Sequence, residues 1–105
     1  MTGRYIQFNL NRENTYIRSL VNLGDEKFTF TIRWDEEYDY FLLDIQNLDA
    51  EYIVCGVALV NNLIIRKKEL PYVLLYTHLN GELYEPTIDC INEFGFTYDD
   101  GNEES

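Results

Sequence analysis

One histidine, two cysteines, two prolines, and no lysine or arginine beyond Lys68: this 105-residue sequence is marked first by what it lacks. A hydrolase needs a nucleophile, a base and a group to orient the base. His78 is the sole histidine, and a lone histidine beside Asn80-Gly81, at an expected strand end, reads as a surface residue. Cys55 and Cys90 lie in apolar stretches without CxxC spacing. They could form one bridge but not the disulfide framework of a small secreted domain, and they are expected to be reduced core residues. Glycine-rich phosphate loops, HExxH and zinc-spaced Cys/His sets are missing, so no cofactor is implied. No apolar run approaches the ~20 residues that span a bilayer. No basic-then-apolar segment opens the chain either, which leads to the expectation of a soluble protein made in a cytoplasm.

Charge of one sign is also scarce. Eight basic residues face nineteen acidic ones, for a net charge of −11, and from Glu69 onward there are only acids. Phosphate backbones and anionic membranes need Lys and Arg to neutralise them, and the one basic cluster, Arg66-Lys67-Lys68, is too short for such a footprint. Neither nucleic acid nor membrane is expected as a partner. The acids themselves invite two tests. Asp35, Glu37 and Asp39 imitate the first ligands of a calcium loop, but Tyr40 stands where the sharp-turn glycine belongs and Gln46 where the bidentate glutamate belongs. That segment therefore reads as a solvated hairpin tip, and no metal site is expected. A glycosidase would need two carboxylates across a cleft, and nineteen acids supply pairs by chance alone. The expectation is a protein that is not an enzyme.

What the chain does have is apolar and aromatic mass. Hydrophobic residues make up 46%, with nine Tyr, six Phe and one Trp, residue types that suit half-buried pleated surfaces. The clearest periodicity runs from Lys27 to Trp34: Phe28, Phe30, Ile32 and Trp34 fall on one face, Lys27, Thr29, Thr31 and Arg33 on the other. The acidic link Asp35–Asp39 then joins it as a hairpin to Tyr40–Gln46, with Phe41, Leu43 and Ile45 inward and Leu42 and Asp44 outward. Arg4–Leu10 and Thr15–Val21 read as earlier strands. Tyr52–Val60, apolar on both sides, reads as a central one. Leu63–Arg66 is not assignable to a state. Tyr72–Leu79 reads as a strand returning through an Asn80-Gly81 type I′ turn into Glu82–Glu85. Thr87–Glu93 suggests one helical turn before a last strand, Phe94–Tyr98.

Turn signals about every 8–12 residues predict an all-β fold, a small antiparallel β-sandwich or partly open barrel of about six to eight strands with at most one short helical turn. Residues 1–98 form a single β domain, and 99–105 form an acidic tail expected to fray. The expected core is Phe28, Phe30, Ile32, Trp34, Phe41, Leu43, Ile45 and Leu59. Some tyrosines must be core and others could line a protein-contact face. Tyr72, Tyr76 and Tyr84, with Asp99 and Asp100, are the candidate partner contacts.

Three stretches carry a resemblance: Phe28-Thr-Phe-Thr-Ile-Arg-Trp-Asp35, Phe41-Leu-Leu-Asp-Ile45 and Ile53-Val-Cys-Gly-Val-Ala-Leu-Val60. Together they resemble the baseplate plug-like proteins of contractile-tailed phages, whose pattern is a strand ending Arg-Trp-Asn, an aromatic-x-Leu-Asp-Ile strand and a Gly-Ile-Pro-Leu-Val segment. Trp34, Phe41, Leu43, Asp44, Ile45, Gly56, Leu59 and Val60 fit in order and spacing, whereas Asp35, Phe41 and Ala58 depart from the usual Asn, Trp and Pro. The resemblance implies a non-enzymatic virion component near the tail axis, in several copies, beside hub, spike or tape-measure proteins. Two alternatives stand beside it: a small acidic DNA-mimic inhibitor, and a tail-completion or head–tail joining protein.

Overall fold

A computed structural model describes residues 3–99, with side chains described from 5 to 98. Eight strands form among them: β1 (Gly3–Ile6), β2 (Tyr16–Leu23), β3 (Glu26–Asp35), β4 (Tyr40–Gln46), β5 (Tyr52–Ala58), β6 (Leu63–Ile65), β7 (Leu74–His78) and β8 (Phe94–Asp99), with one 3₁₀ turn at Ile91–Glu93. The protein is all-β, in two antiparallel sheets. The first is a meander ordered β2-β3-β4-β5, and the second is ordered β1-β8-β7-β6. The expected tail at 99–105 falls outside the described residues, apart from the Asp99 backbone that ends β8.

Period-two patterning places one face of β3 and one face of β4 inside. Phe28, Phe30 and Ile32 of β3, and Phe41, Leu43 and Ile45 of β4, are all at most 2% exposed. Across the interior, Phe30 meets Phe96 of β8 edge-to-face with ring centroids 5.6 Å apart, and Phe8 packs on both. Buried aromatic pairs of this kind add about 0.5–1.5 kcal/mol to the area they remove from water. They are what fastens one sheet to the other. Trp34 is only half-buried, set edge-on against Phe41 at 4.9 Å at the end of the β3–β4 hairpin.

Several expectations change. β5 is an edge strand rather than a central one. Its apolar residues fail to alternate because a bulge resets the register: Val54 pairs with Ile45 and Val57 with Leu43, so residues three apart share the inner face. Gly56 takes the left-handed φ of +66° that this bulge needs. Cys55 is exposed there and Cys90 is half-buried, both free thiols rather than core residues. Leu63–Ile65 resolves as a short strand. Glu82–Glu85 forms no strand, since β7 pairs with β6 and β8 instead. Nor is Asn80-Gly81 a type I′ turn, because Gly81 has positive φ and Asn80 does not. The chain therefore leaves β7 on a long excursion, residues 79–93, before returning in β8.

Candidate functional site

Two polar constellations stand out against this apolar frame. The first ties the 79–93 excursion to β7. Asn61 sits at the turn before β6, and its Oδ1 accepts from the His78 N–H (3.1 Å) and from Thr77 Oγ1 (3.1 Å). Its Nδ2 donates to the carbonyls of Glu82 (2.9 Å) and Tyr84 (3.0 Å), and its N–H donates to Glu85 Oε1 (2.9 Å). One residue thus ties the first half of the loop back to the end of β7.

His78 is 3% exposed, not the surface residue its sequence position suggested. Its Nδ1 accepts from the Asn80 N–H (3.0 Å), which leaves the ring proton on Nε2, 2.9 Å from Glu93 Oε1 and 3.1 Å from the Tyr84 hydroxyl. Tyr84 also donates to Glu93 Oε1. The hydrogen bond from Tyr84, and then that from His78, hold the Glu93 carboxyl below the usual carboxylate range. In return Glu93, helped by burial, pushes the Tyr84 phenol up to about 12. Both ring nitrogens of His78 are engaged within the fold, and the hydroxyl beside Nε2, that of Tyr84, spends its proton on Glu93. Cys90 Sγ is instead held by the Thr87 N–H at 3.3 Å. The cluster is a clasp on a loop.

The second constellation lies on the outer face of the first sheet. Asp44 projects outward as expected, yet it is only 8% exposed. Its Oδ1 accepts from the Gly56 N–H (2.6 Å) and its Oδ2 from Arg33 Nη1 (2.6 Å). The carboxylate therefore satisfies the backbone donor that the β5 bulge frees from the ladder.

Among the described residues no group of three His, Cys, Asp or Glu is arranged to hold a metal ion. The interior hollow beside Phe8, Leu10, Ile32 and Tyr76 is lined by apolar residues, without a charged group. No helix among the described residues is long and apolar enough to cross a membrane.

The expected contact residues are dispersed. Tyr72 is half-buried, stacked on Tyr98 at 5.1 Å. Tyr76 is a correction: it is 3% exposed, packed on Phe96 at 4.8 Å, and burial pushes its phenol up. A ring on the inward row of β7 faces the other sheet and cannot meet a partner. Tyr84 is 47% exposed, with its hydroxyl already engaged. The Asp99 side chain and all of Asp100 lie outside the described residues. Exposed apolar residues outside that set include Tyr5, Tyr16, Leu20, Tyr52 and, at 84%, Leu83.

A family model, cyanophage baseplate Pam3 plug gp18, matches residues 4–102. The chain belongs to that family. No curated protein and no solved structure matches it. The residues that resemble plug proteins in sequence now have physical roles. Trp34 and Phe41 are cross-strand partners, Asp44 and Gly56 are joined by the bulge hydrogen bond, and the Leu59 N–H donates to the Phe41 carbonyl at 2.9 Å. In this chain those residues build one bulged hairpin. Asn61, His78 and Glu93 were not singled out as site residues from the sequence. Asn-Asn after a strand is ordinary turn chemistry, and nothing local marks Asn61 as the anchor of a loop some twenty residues away.

Proposed function

We propose that this protein is a non-enzymatic plug of a contractile-tail baseplate, present in several copies near the tail axis and held by hub, spike or tape-measure proteins. The family match across nearly the whole chain carries this reading. The geometry is compatible with it: the one histidine is held in a clasp by hydrogen bonds within the fold. A DNA mimic would array its acids along one ridge. Here they sit at separate turns (Asp25 and Glu26, Asp35–Asp39, Asp49 and Glu51, Glu82 and Glu85), while Arg18, Lys27 and Arg33 share the outer face of the first sheet.

The test is the particle itself. Virions purified from a phage encoding this chain should contain it at fixed copy number by quantitative mass spectrometry, with density for the two sheets near the tail axis in electron cryomicroscopy. Deleting the gene should yield tails with defective baseplates. Complete, infectious particles that lack the chain would refute the assignment.

A further inference from the structure

Four sheet edges carry unpaired backbone groups, and three of them are blunted. β1 and β6 are only Gly3–Ile6 and Leu63–Ile65, and β5 is broken by its bulge. Short or bulged edges are how folds avoid unwanted strand pairing. β2 has neither protection. It pairs with β3 in unbroken register from Tyr16↔Arg33 to Leu23↔Glu26, and it contains no proline or glycine.

The free groups on β2 can be named. The Trp34 N–H donates to the Thr15 carbonyl at 3.0 Å, which makes Thr15 and Trp34 a hydrogen-bonded pair. Alternation then turns the N–H and C=O of Ile17, Ser19 and Val21 towards β3, and those of Tyr16, Arg18, Leu20 and Asn22 towards the open edge. No backbone bond from elsewhere in the described residues reaches these four. Their side chains share the outer face, where Tyr16 is 53% and Leu20 57% exposed on either side of Arg18.

Charge identifies the occupant. In a chain of net charge −11, this face gathers Arg18, Lys27 and Arg33. Asp44 engages Arg33, and among the described residues Arg18 and Lys27 have no ion pair. A second copy pairing through β2 would set Arg18 close to its twin and join two strongly acidic bodies. An acidic segment sets carboxylates, not a second arginine, against Arg18 and Lys27, and it does not bring a second body of charge −11 to the edge.

We propose that β2 is a docking edge: an extended segment of a baseplate partner, acidic on the side lying over Arg18 and Lys27, adds a fifth strand to the first sheet. The identity of this partner as a baseplate protein rests on the plug reading, but the recognition chemistry belongs to the isolated chain and can be tested without a virion.

The experiment titrates the full chain, labelled for amide NMR, with a synthetic peptide alternating valine and glutamate, and with its lysine-for-glutamate counterpart. The glutamate peptide should shift and protect the amides of Tyr16, Arg18, Leu20 and Asn22, and added salt should weaken its binding. Arg18→Glu should reverse the preference between the two peptides. Leu20→Pro removes an outward N–H without touching the β3 ladder. It should weaken binding about tenfold, the loss expected for one hydrogen bond, and leave the amide spectrum of the remaining strands intact. Equal binding of both peptides, or shifts clustered away from β2, would overturn the proposal. So would self-association through the same four amides that tightens with salt, which would assign the edge to a second copy. Failure here would leave the virion test untouched, and failure there would leave this edge chemistry standing.

Discussion

Replacing Asp44 with alanine should destabilise the protein more than its position on an outer sheet face suggests. The carboxylate makes two hydrogen bonds, to the Gly56 N–H and to Arg33 Nη1. Hydrogen bonds involving a charged group contribute about 1.5–3 kcal/mol where the abandoned partner stays dry. Neither partner stays fully dry. The Arg33 side chain is 39% exposed and can regain water, which limits the ion pair to roughly 1 kcal/mol or less. Gly56 is exposed as well, so its N–H recovers part of its loss. The net expectation for Asp44→Ala is about 2–3 kcal/mol by urea unfolding, a fall in Tm of about 10 °C or more. Asp44→Asn keeps an oxygen for Gly56 and loses the charge, so it should cost about 1 kcal/mol, close to Arg33→Met. The order of the three variants is the informative result. An Asp44→Ala protein within about 0.5 kcal/mol of the parent would mean that the carboxylate does not hold the bulge.

Phe30→Ala, at a fully buried position between Phe8 and Phe96, should cost about 3–5 kcal/mol, and Trp34→Ala, half-buried at a hairpin end, about 2–3, both read from urea midpoints. Glu93 has its carboxyl lowered by Tyr84 and His78, so its contribution is present above the ordinary glutamate range and is lost as pH falls through the depressed value. The Tm difference between the parent and Glu93→Gln should therefore be larger at pH 7 than in strong acid, and a difference independent of pH would contradict the clasp. The Tyr84 phenol should ionise at about 12 by ultraviolet titration, a step absent in Tyr84→Phe. Gly24 sits at φ +66°, and a Cβ there would lie 2.8 Å from the Tyr72 hydroxyl. Gly24→Ala should cost about 1–2 kcal/mol from the backbone alone, with a further contact penalty that Tyr72→Phe relieves.

The fold was legible wherever a strand is buried on one face and wet on the other. β3 and β4 announced themselves because Phe28, Phe30, Ile32, Phe41, Leu43 and Ile45 recur at period two, and that period survives any detail of packing. β5 was misplaced because two register shifts against β4 break its alternation and mimic, in sequence, the unbroken apolar run of a central strand. Only the pairing partner shows that Val54 and Val57 share a face. His78 and Tyr76 were misjudged for a related reason. Both lie on the inward row of β7, in a stretch where the hairpin expected after His78 never forms.

The sequence by itself determined that this chain makes antiparallel strands around an aromatic core, that it carries a strong negative charge, and that it resembles the plug family. Those properties follow from residue type and local period, which need no knowledge of distant neighbours. Tertiary structure alone decided which strands are edges, that Asp44 holds a bulge, and that Asn61, His78 and Glu93 clasp one loop. Each of these depends on groups far apart in the chain meeting within hydrogen-bond distance, and no local pattern encodes that.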